Sequence, residues 1–274
     1  MILNIEDDFD LEKIASSGQC FRWTRMDDGS YRIIQGGECV YMRDLGRGRF
    51  DIDCDEDGFR GIWYGYFDLD EDYRSIRGRI DPGVDQFLWR AAEDGKGIRI
   101  LRQDPWETLV SFIISQNRNI PAIQRSIELL CQACGNSRED DRGNTYYAFP
   151  SAEAIASLGE AGLERCSLGY RGKYVRAAAA SYLDGEIDFE SLKSADEPET
   201  IGALTKLFGV GVKVASCVSL FGLHHVDAFP IDVWIKRVLE NEYPEGYPYE
   251  RYRPFNGVYQ QYLFAYYRNQ APAR

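Results

Sequence analysis

Leu-Phe-Gly-Val-Gly-Val-Lys-Val-Ala-Ser-Cys, residues 207–217, is the stretch of this 274-residue chain that decides the fold. Two glycines, Gly209 and Gly211, flank one valine between two helical patterns. The chain can therefore turn tightly there and aim several backbone N–H groups at one point. Such a turn at a helix N-terminus binds phosphate. The stretch predicts two helices joined by a phosphate-binding hairpin.

Lys213 falls in the first turn of the second predicted helix, where the positive end of the helix dipole disfavours an ammonium group. Acidic residues usually occupy this place, so a lysine there suggests a function. A lysine held partly neutral is a nucleophile. The stretch resembles the helix-hairpin-helix of the DNA glycosylase superfamily, in whose lyase-competent members a lysine follows the hairpin and an aspartate lies farther along the chain; here that pair would be Lys213 and Asp232. Many helix-hairpin-helix modules bind DNA without chemistry, however, and their lysine only contacts phosphate. This segment alone leaves both alternatives open.

Asp232 follows Phe229-Pro-Ile and precedes a helical pattern, Val-Trp-Ile-Lys-Arg-Val-Leu. Its position is typical of a helix N-cap, where a carboxylate accepts backbone N–H groups. Such donors favour the ionised carboxylate, which an anion beside a developing sugar cation requires. The capping role and the catalytic role are compatible.

The composition is that of a globular protein, with 44% hydrophobic and 14% aromatic residues. No apolar run approaches the roughly 20 residues of a membrane span, and the N-terminus carries no basic leader, so we expect neither a membrane segment nor a secretory signal.

The seven cysteines include one Cys-x-x-C, Cys131 and Cys134, without a second pair or nearby histidine. We therefore expect reduced thiols of a cytoplasmic protein, nucleoid-associated if the source is prokaryotic, and no metal site.

The net charge of −12 argues against a DNA-binding protein, whose surface is usually basic. Its distribution weakens that argument. Acidic residues concentrate between residues 44 and 72, whereas residues 108–127, 165–176 and 201–226 contain none. The local field at a binding face matters more than the total charge.

The periodicity predicts strands first and helices afterwards. Strand-like segments cover residues 20–25, 31–35, 39–43 and 49–54, with tight turns at Asp28-Gly29 and Gly36-Gly37. Helical patterns cover residues 70–80, 84–93, 105–114, 120–133, 152–158, 172–182 and 258–268. Residues 135–145 are predicted to form a polar loop. The fold class is therefore α+β with a mainly helical second half.

Further segments resemble the 8-oxoguanine DNA glycosylase family, in that family's order, from about Phe9 to Arg268. Gly18-Gln-Cys-Phe-Arg-Trp is similar to the family's Gly-Gln-x-Phe-Arg-Trp, and Gln260-Gln-Tyr-Leu-Phe to its Gln-x-x-x-Phe. The resemblance implies that the Gly18 carbonyl accepts a proton that the oxidised base carries and guanine lacks. It also implies that Gln260 reads the base and that Phe264 and Cys217 stack on its two faces; plain core packing is the alternative for the last two.

Two other segments carry the implied contacts with duplex DNA. Asp104-Pro-Trp-Glu with Ser115-Gln-Asn-Arg-Asn resembles the family's long helix and its asparagine-rich loop, and Leu168-Gly-Tyr-Arg-Gly-Lys-Tyr its Leu-Gly-Tyr-Arg-x-x-Tyr. By resemblance, Asn117 enters the gap left by the flipped nucleotide, Tyr170 wedges between base pairs, and Arg171 faces the opposite base. Asn117 can equally be a left-handed helix C-cap.

The chain departs from the family pattern at three places that concern DNA. Its loop reads Asn117-Arg118-Asn119 rather than three asparagines. Trp234 replaces a histidine two residues after Asp232, and we expect Trp234 among the DNA contacts together with Gly209 and Gly211. Ala122 stands where the better-known members have an arginine that reads the opposite cytosine. These departures concern the phosphate contacts and the choice of opposite base.

The resemblance implies a bifunctional glycosylase that excises 8-oxoguanine from double-stranded DNA, with Lys213 as nucleophile and Asp232 as electrostatic partner. It needs no cofactor and is expected to act as a monomer. The alternatives are a monofunctional glycosylase of alkylated or mismatched bases and a non-enzymatic DNA-binding module. The implied domains are an antiparallel sheet domain (1–103), a helical domain with the base pocket (104–150 and 248–274), and a helix-hairpin-helix domain with the catalytic residues (151–247).

Overall fold

The structure, a computed structural model, describes residues 1–270. Its first part contains a five-stranded antiparallel sheet made of β1 Ile2–Asn4, β2 Trp23–Arg25, β3 Tyr31–Gln35, β4 Glu38–Gly46 and β5 Arg49–Ile52. The spatial order of the strands is β1-β5-β4-β3-β2, which confirms the sheet predicted from the turn and strand patterns. Ile33 of β3 pairs with Val40 of β4, and both side chains are almost completely buried.

Short helices accompany the sheet, and a mainly helical region follows it, as predicted. The helices beside the sheet are α1 Leu11–Ser16, α2 Glu56–Gly58, α3 Tyr64–Tyr66, α4 Tyr73–Gly78 and α5 Gln86–Asp94, with a π-helical turn Phe59–Trp63 between α2 and α3. The second region consists of α6 Pro105–Ser115, α7 Ile120–Cys134, α8 Ala152–Arg165, α9 Gly172–Leu183, α10 Phe189–Leu192, α11 Glu197–Leu204, α12 Val212–Phe221, α13 Val233–Glu242, α14 Tyr249–Tyr252 and α15 Asn256–Gln270. Within residues 1–270, none of the helices has the length and apolar character that a membrane crossing requires.

Helix α6 is the centre of the second region. Every residue from Trp106 to Ile114 is buried, and α6 packs against α7, α9 and α12. Its apolar surface joins the larger of two hydrophobic clusters, while the smaller cluster lies against the sheet. The loop that leaves the C-terminal end of α6 is consequently held on a rigid support.

Polar N-caps fix where the helices around this loop begin. The side chain of Asp104 accepts the backbone N–H of Glu107 at the start of α6, and Asn119 accepts that of Ala122 at the start of α7. Asp232 caps α13 in the same manner. Each such cap stabilises its helix by about 1 kcal/mol.

One local prediction is wrong. Residues 135–145, predicted as a polar loop, contain most of a hairpin made of β6 Ser137–Glu139 and β7 Thr145–Tyr147. The polar residues form its turn: Asp140 accepts the backbone N–H groups of Arg142 and Asn144 and the hydroxyl of Tyr41. The turn of this hairpin is thus stabilised by a hydrogen bond from Tyr41 of β4, a residue distant in sequence.

The division into three domains stays a prediction. Residues 104–150 and 248–274 were assigned to one unit, and α15 does pack against α13 from the predicted hairpin unit and against α5 from the predicted sheet unit. The last four residues of that assignment, 271–274, lie outside the described residues.

Candidate active site

The hairpin predicted at residues 207–211 joins α11 to α12. Gly209 has a φ of +86°, which L side chains rarely adopt, and a Cβ atom there would lie 2.3 Å from ring carbons of Tyr174. Gly211 has an ordinary extended backbone (φ −95°, ψ 173°) and caps α12 with open space around it. The first glycine is therefore required by the turn and by the aromatic ring packed on it, whereas the second leaves the N-terminus of α12 accessible.

Lys213 is the second residue of α12 and is half-buried. Its ammonium nitrogen lies 5.1 Å from the centroid of the Phe112 ring, which belongs to α6 and stacks in turn on Phe221. A cation over an aromatic face gains about 0.5–2 kcal/mol. The contact positions the lysine amine against the wall of a cavity rather than in bulk solvent.

Asp232 is the N-cap residue of α13. Its Oδ1 atom accepts the backbone N–H groups of Trp234 and Ile235, both at 2.9 Å. The same side chain lines the cavity, so Asp232 occupies an N-cap and faces the lysine-bearing space at once. The structure shows the capping role, and the electrostatic role of Asp232 stays a prediction.

The cavity has a volume of about 820 Å³, within the range of binding sites for a nucleotide-sized ligand. It brings together residues from both halves of the chain. Of the predicted site residues, its lining contains Gly18, Asn117, Gly211, Lys213, Asp232, Trp234 and Phe264. The apolar walls are completed by Phe21, Phe112, Ile120, Ile123 and Val214.

Gly18 and Phe264 lie against each other at one end of the cavity. Gly18 has a φ of +79°, and a Cβ atom on it would be 3.5 Å from Cε1 of Phe264. The backbone of the loop before β2 therefore approaches the aromatic ring directly. A planar ligand stacked on Phe264 would lie close to the backbone of Gly18.

Cys217 and Gln260 do not line the cavity. Cys217 is buried one helical turn after Lys213; burial raises the pKa of its thiol, while the charge of Lys213 and a side-chain hydrogen bond with it act in the opposite direction. Gln260 is also buried, donates Nε2 to the Pro230 carbonyl at 2.9 Å, and accepts Nε2 of Gln261 at 2.8 Å. Both residues are buried in the helices that carry Lys213 and Phe264, each one helical turn away from the residue that lines the cavity.

The asparagine loop and the Gly-Tyr-Arg turn, predicted to contact DNA, are adjacent. Asn117 adopts a left-handed backbone (φ +52°) after α6, and its Nδ2 donates to the hydroxyl of Tyr170 at 3.3 Å. Tyr170 is 48% exposed, and its role as a wedge stays a prediction. Arg171, by contrast, is buried: its guanidinium donates to the carbonyls of Gln116, Asn117 and Leu168.

Sequence reasoning missed Gln116, Phe112 and Arg268. The Gln116 side chain donates Nε2 to the Gly209 carbonyl at 3.1 Å, which links the asparagine loop to the hairpin. No local pattern indicates this contact between residues so far apart in sequence. Arg268 was detectable, because it lies one turn beyond Phe264 on the same face of α15.

The residues that could hold a metal ion do not cluster. Among residues 1–270, no group of three or more His, Cys, Asp or Glu side chains is arranged to bind one. Cys131 and Cys134 are free thiols; Cys131 is buried in the helical core.

Two family models match consecutive parts of the chain. Residues 1–109 match the N-terminal domain of 8-oxoguanine DNA glycosylase, and residues 110–244 match the HhH-GPD superfamily of base excision DNA repair proteins. The chain belongs to the 8-oxoguanine DNA glycosylase family.

Individual relatives match most of the chain. The Saccharomyces cerevisiae N-glycosylase/DNA lyase is 31% identical over 261 residues, 85% of this chain and 68% of the relative. The probable N-glycosylase/DNA lyase of Methanothermobacter thermautotrophicus is 30% identical over 266 residues, 86% and 83% of the two chains. The Clostridium acetobutylicum 8-oxoguanine glycosylase/lyase, solved with double-stranded DNA containing cytosine opposite 8-oxoG, superposes with a TM-score of 0.88 at 35% identity and covers 98% of both chains.

The two hairpin glycines provide a matched test of the local geometry. We expect Gly209→Ala to lower the free energy of unfolding by more than about 2 kcal/mol, since it combines a positive φ with a clash against Tyr174. Gly211→Ala meets no neighbour and should cost less than about 1 kcal/mol. Urea unfolding of both variants measures the difference; equal midpoints would contradict the described turn.

Proposed function

We propose that this protein excises 8-oxoguanine from double-stranded DNA with Lys213 as the nucleophile and then nicks the strand by β-elimination. Its family is that of bifunctional glycosylase/lyases. The observation that carries the residue assignment is the single cavity of about 820 Å³ that Lys213, Asp232, Gly18 and Phe264 line together. The nucleophile, an anion and a base-sized apolar wall are thus within reach of one flipped nucleotide.

DNA binding begins at the hairpin. The N-terminus of α12 presents backbone N–H groups beside the exposed Gly211, and such helix ends bind phosphate. The lesion nucleotide then leaves the DNA duplex and enters the cavity. Tyr170 and Asn117, which contact each other, fill the space that the nucleotide leaves in the duplex.

The covalent steps use Lys213. Its amine attacks C1′ of the flipped nucleotide, the C1′–N9 bond breaks, and the bonding pair departs with the purine. Ring opening of the resulting aminal gives a Schiff base between Lys213 and C1′. Loss of a proton from C2′ then eliminates the 3′ phosphate and nicks the strand.

Asp232 stabilises the positive charge that develops on the sugar as the base departs. Its carboxylate is fixed by two N–H donors of α13, so it needs no reorganisation during the reaction. A group held in this way stabilises the transition state without itself forming a bond to the sugar.

Base recognition is proposed for the end of the cavity formed by Gly18 and Phe264. The oxidised base carries an N–H where guanine presents an acceptor, so a backbone carbonyl at Gly18 would discriminate between them. Cys217 and Gln260 stay predicted base contacts. A base that enters between Phe264 and α12 would approach both residues from the cavity side.

The implied partner is duplex DNA with 8-oxoguanine, bound by a monomer in the cytoplasm, or at the nucleoid of a prokaryote. Although the net charge is −12, the cavity lining contains Lys213, Lys236, Arg118 and Arg268 against the single carboxylate of Asp232. Binding should therefore be local, modest in strength and strongly dependent on salt.

The test of this function compares the wild type with Asp232→Asn. The wild type should release 8-oxoguanine and nick the same strand. Base release without a nick would favour a monofunctional glycosylase. The absence of both base release and nicking would favour a DNA-binding module. Asn accepts the same two N–H bonds, so Asp232→Asn should keep the melting temperature and DNA affinity while excision falls about 100-fold or more. Wild-type excision by that variant would leave Asp232 with the capping role alone.

The opposite-base preference should be loose. Ala122 offers no side-chain donor, and Arg118 is engaged by the Ser126 hydroxyl and the Ser167 carbonyl, both at 2.6 Å. Arg171 is buried against backbone carbonyls, so reading cytosine would cost it those bonds.

A lost bidentate base contact reduces discrimination by about 1–3 kcal/mol, or roughly tenfold or more. We therefore expect appreciable single-turnover excision opposite A, G and T as well as C, and a sharper preference for C in Ala122→Arg. Strict cytosine dependence of the wild type would show that another residue reads the opposite base.

A further inference from the structure

Arg268 is another of the cations that line the cavity, beside Phe264, the ring proposed to stack on the damaged base. It lies one turn after Phe264 on α15, and its guanidinium carbon is 5.2 Å from the centroid of that ring. Its Nη2 atom donates to the Ser16 carbonyl at 2.7 Å, at the C-terminal end of α1. Because Ser16 precedes Gly18 by two residues, the guanidinium is held close both to the chain segment that carries Gly18 and to the ring of Phe264.

The position of Arg268 is partly desolvated. Burial lowers the pKa of its guanidinium, and the negative charge of Asp232 acts in the opposite direction. A half-buried cation that faces a cavity interacts more strongly with a ligand charge than an exposed one does, because the local dielectric response is weaker. The charge is also fixed, since arginine keeps its proton at neutral pH.

The proposed reaction places negative charge near this cation. When Lys213 bonds to C1′, the electron pair of the C1′–N9 bond moves onto the purine, and the Lys213 nitrogen becomes positively charged. The purine remains an anion until it takes up a proton, which the Lys213 nitrogen can release. A cation beside the ring stabilises that charge in the transition state more than in the neutral ground state.

We propose that Arg268 contacts the flipped base and stabilises the negative charge that develops on it while the glycosidic bond breaks. This inference rests on the proposed glycosylase function. It assigns departure of the base to a group distinct from Asp232, which faces the sugar. Arg268 would thus act in base release and take no part in the later elimination, when the purine has already left the sugar.

That division gives a test with an internal reference. Excision from an 8-oxoguanine duplex requires a departing base, whereas nicking of the same duplex with a preformed abasic site requires Lys213 but no base. Arg268→Met keeps an apolar stem over Phe264 and removes the charge. We expect its single-turnover excision rate to fall about tenfold to a hundredfold, while nicking at the abasic site stays within about twofold of the wild type.

Two further variants control for folding and for charge. Arg90→Met removes an exposed arginine on α5, away from the cavity, and should leave both rates unchanged. Arg268→Lys keeps the charge without the guanidinium fork, so its excision rate should fall less than that of Arg268→Met, with nicking again unaffected. If a thermal unfolding experiment shows that Arg268→Met is not folded, the same comparison of the two rates is made in Arg268→Lys.

The outcomes separate this role from the others. Unchanged excision in Arg268→Met overturns the inference. A parallel loss of excision and abasic nicking also overturns it, because a phosphate contact or a purely structural tether to Ser16 would affect both steps. Absence of excision in the wild type, with DNA binding retained, would instead contradict the proposed function.

Discussion

The arrangement of the site depends on how Gln116 is held between two other segments. Its side chain donates to the Gly209 carbonyl of the hairpin, and its own carbonyl accepts the guanidinium of Arg171. Hydrogen bonds that involve a charged group contribute about 1.5–3 kcal/mol each. The hairpin, the loop after α6 and the Gly169–Arg171 turn are therefore one unit, and the groups proposed to meet DNA keep fixed positions relative to one another before binding.

Two helix N-termini supply the charge pattern of the cavity. Those of α12 and α13 both favour anions, which suits a phosphate at the first and the Asp232 carboxylate at the second. Lys213 is the exception to this rule, and the structure places its ammonium over the face of Phe112. The lysine is thereby kept at the wall of the cavity that Asp232 also lines, although its local helix position disfavours a cation.

The sequence could predict those features that a short spacing determines. Positive-φ glycine, N-cap and hairpin patterns are local, so Gly209, Asp232 and the sheet turns were readable from the chain itself. The burial of Arg171 was not, because its partners Gln116 and Asn117 lie more than fifty residues away in sequence. For the same reason the placement of Gln260 behind the cavity wall, bound to Pro230, could not follow from a motif that only puts it one turn before Phe264.

The central claim is that Lys213 forms the covalent link to the DNA sugar. Borohydride reduction during incubation with an 8-oxoguanine duplex, followed by proteolysis and mass spectrometry of the adduct, tests it most directly. We expect the DNA remnant on the peptide that contains Lys213, no adduct from Lys213→Gln, and an adduct that still forms in Lys236→Gln, which removes another, exposed lysine of the same cavity. Full trapping by Lys213→Gln, or an adduct on another residue of the wild type, would contradict the claim.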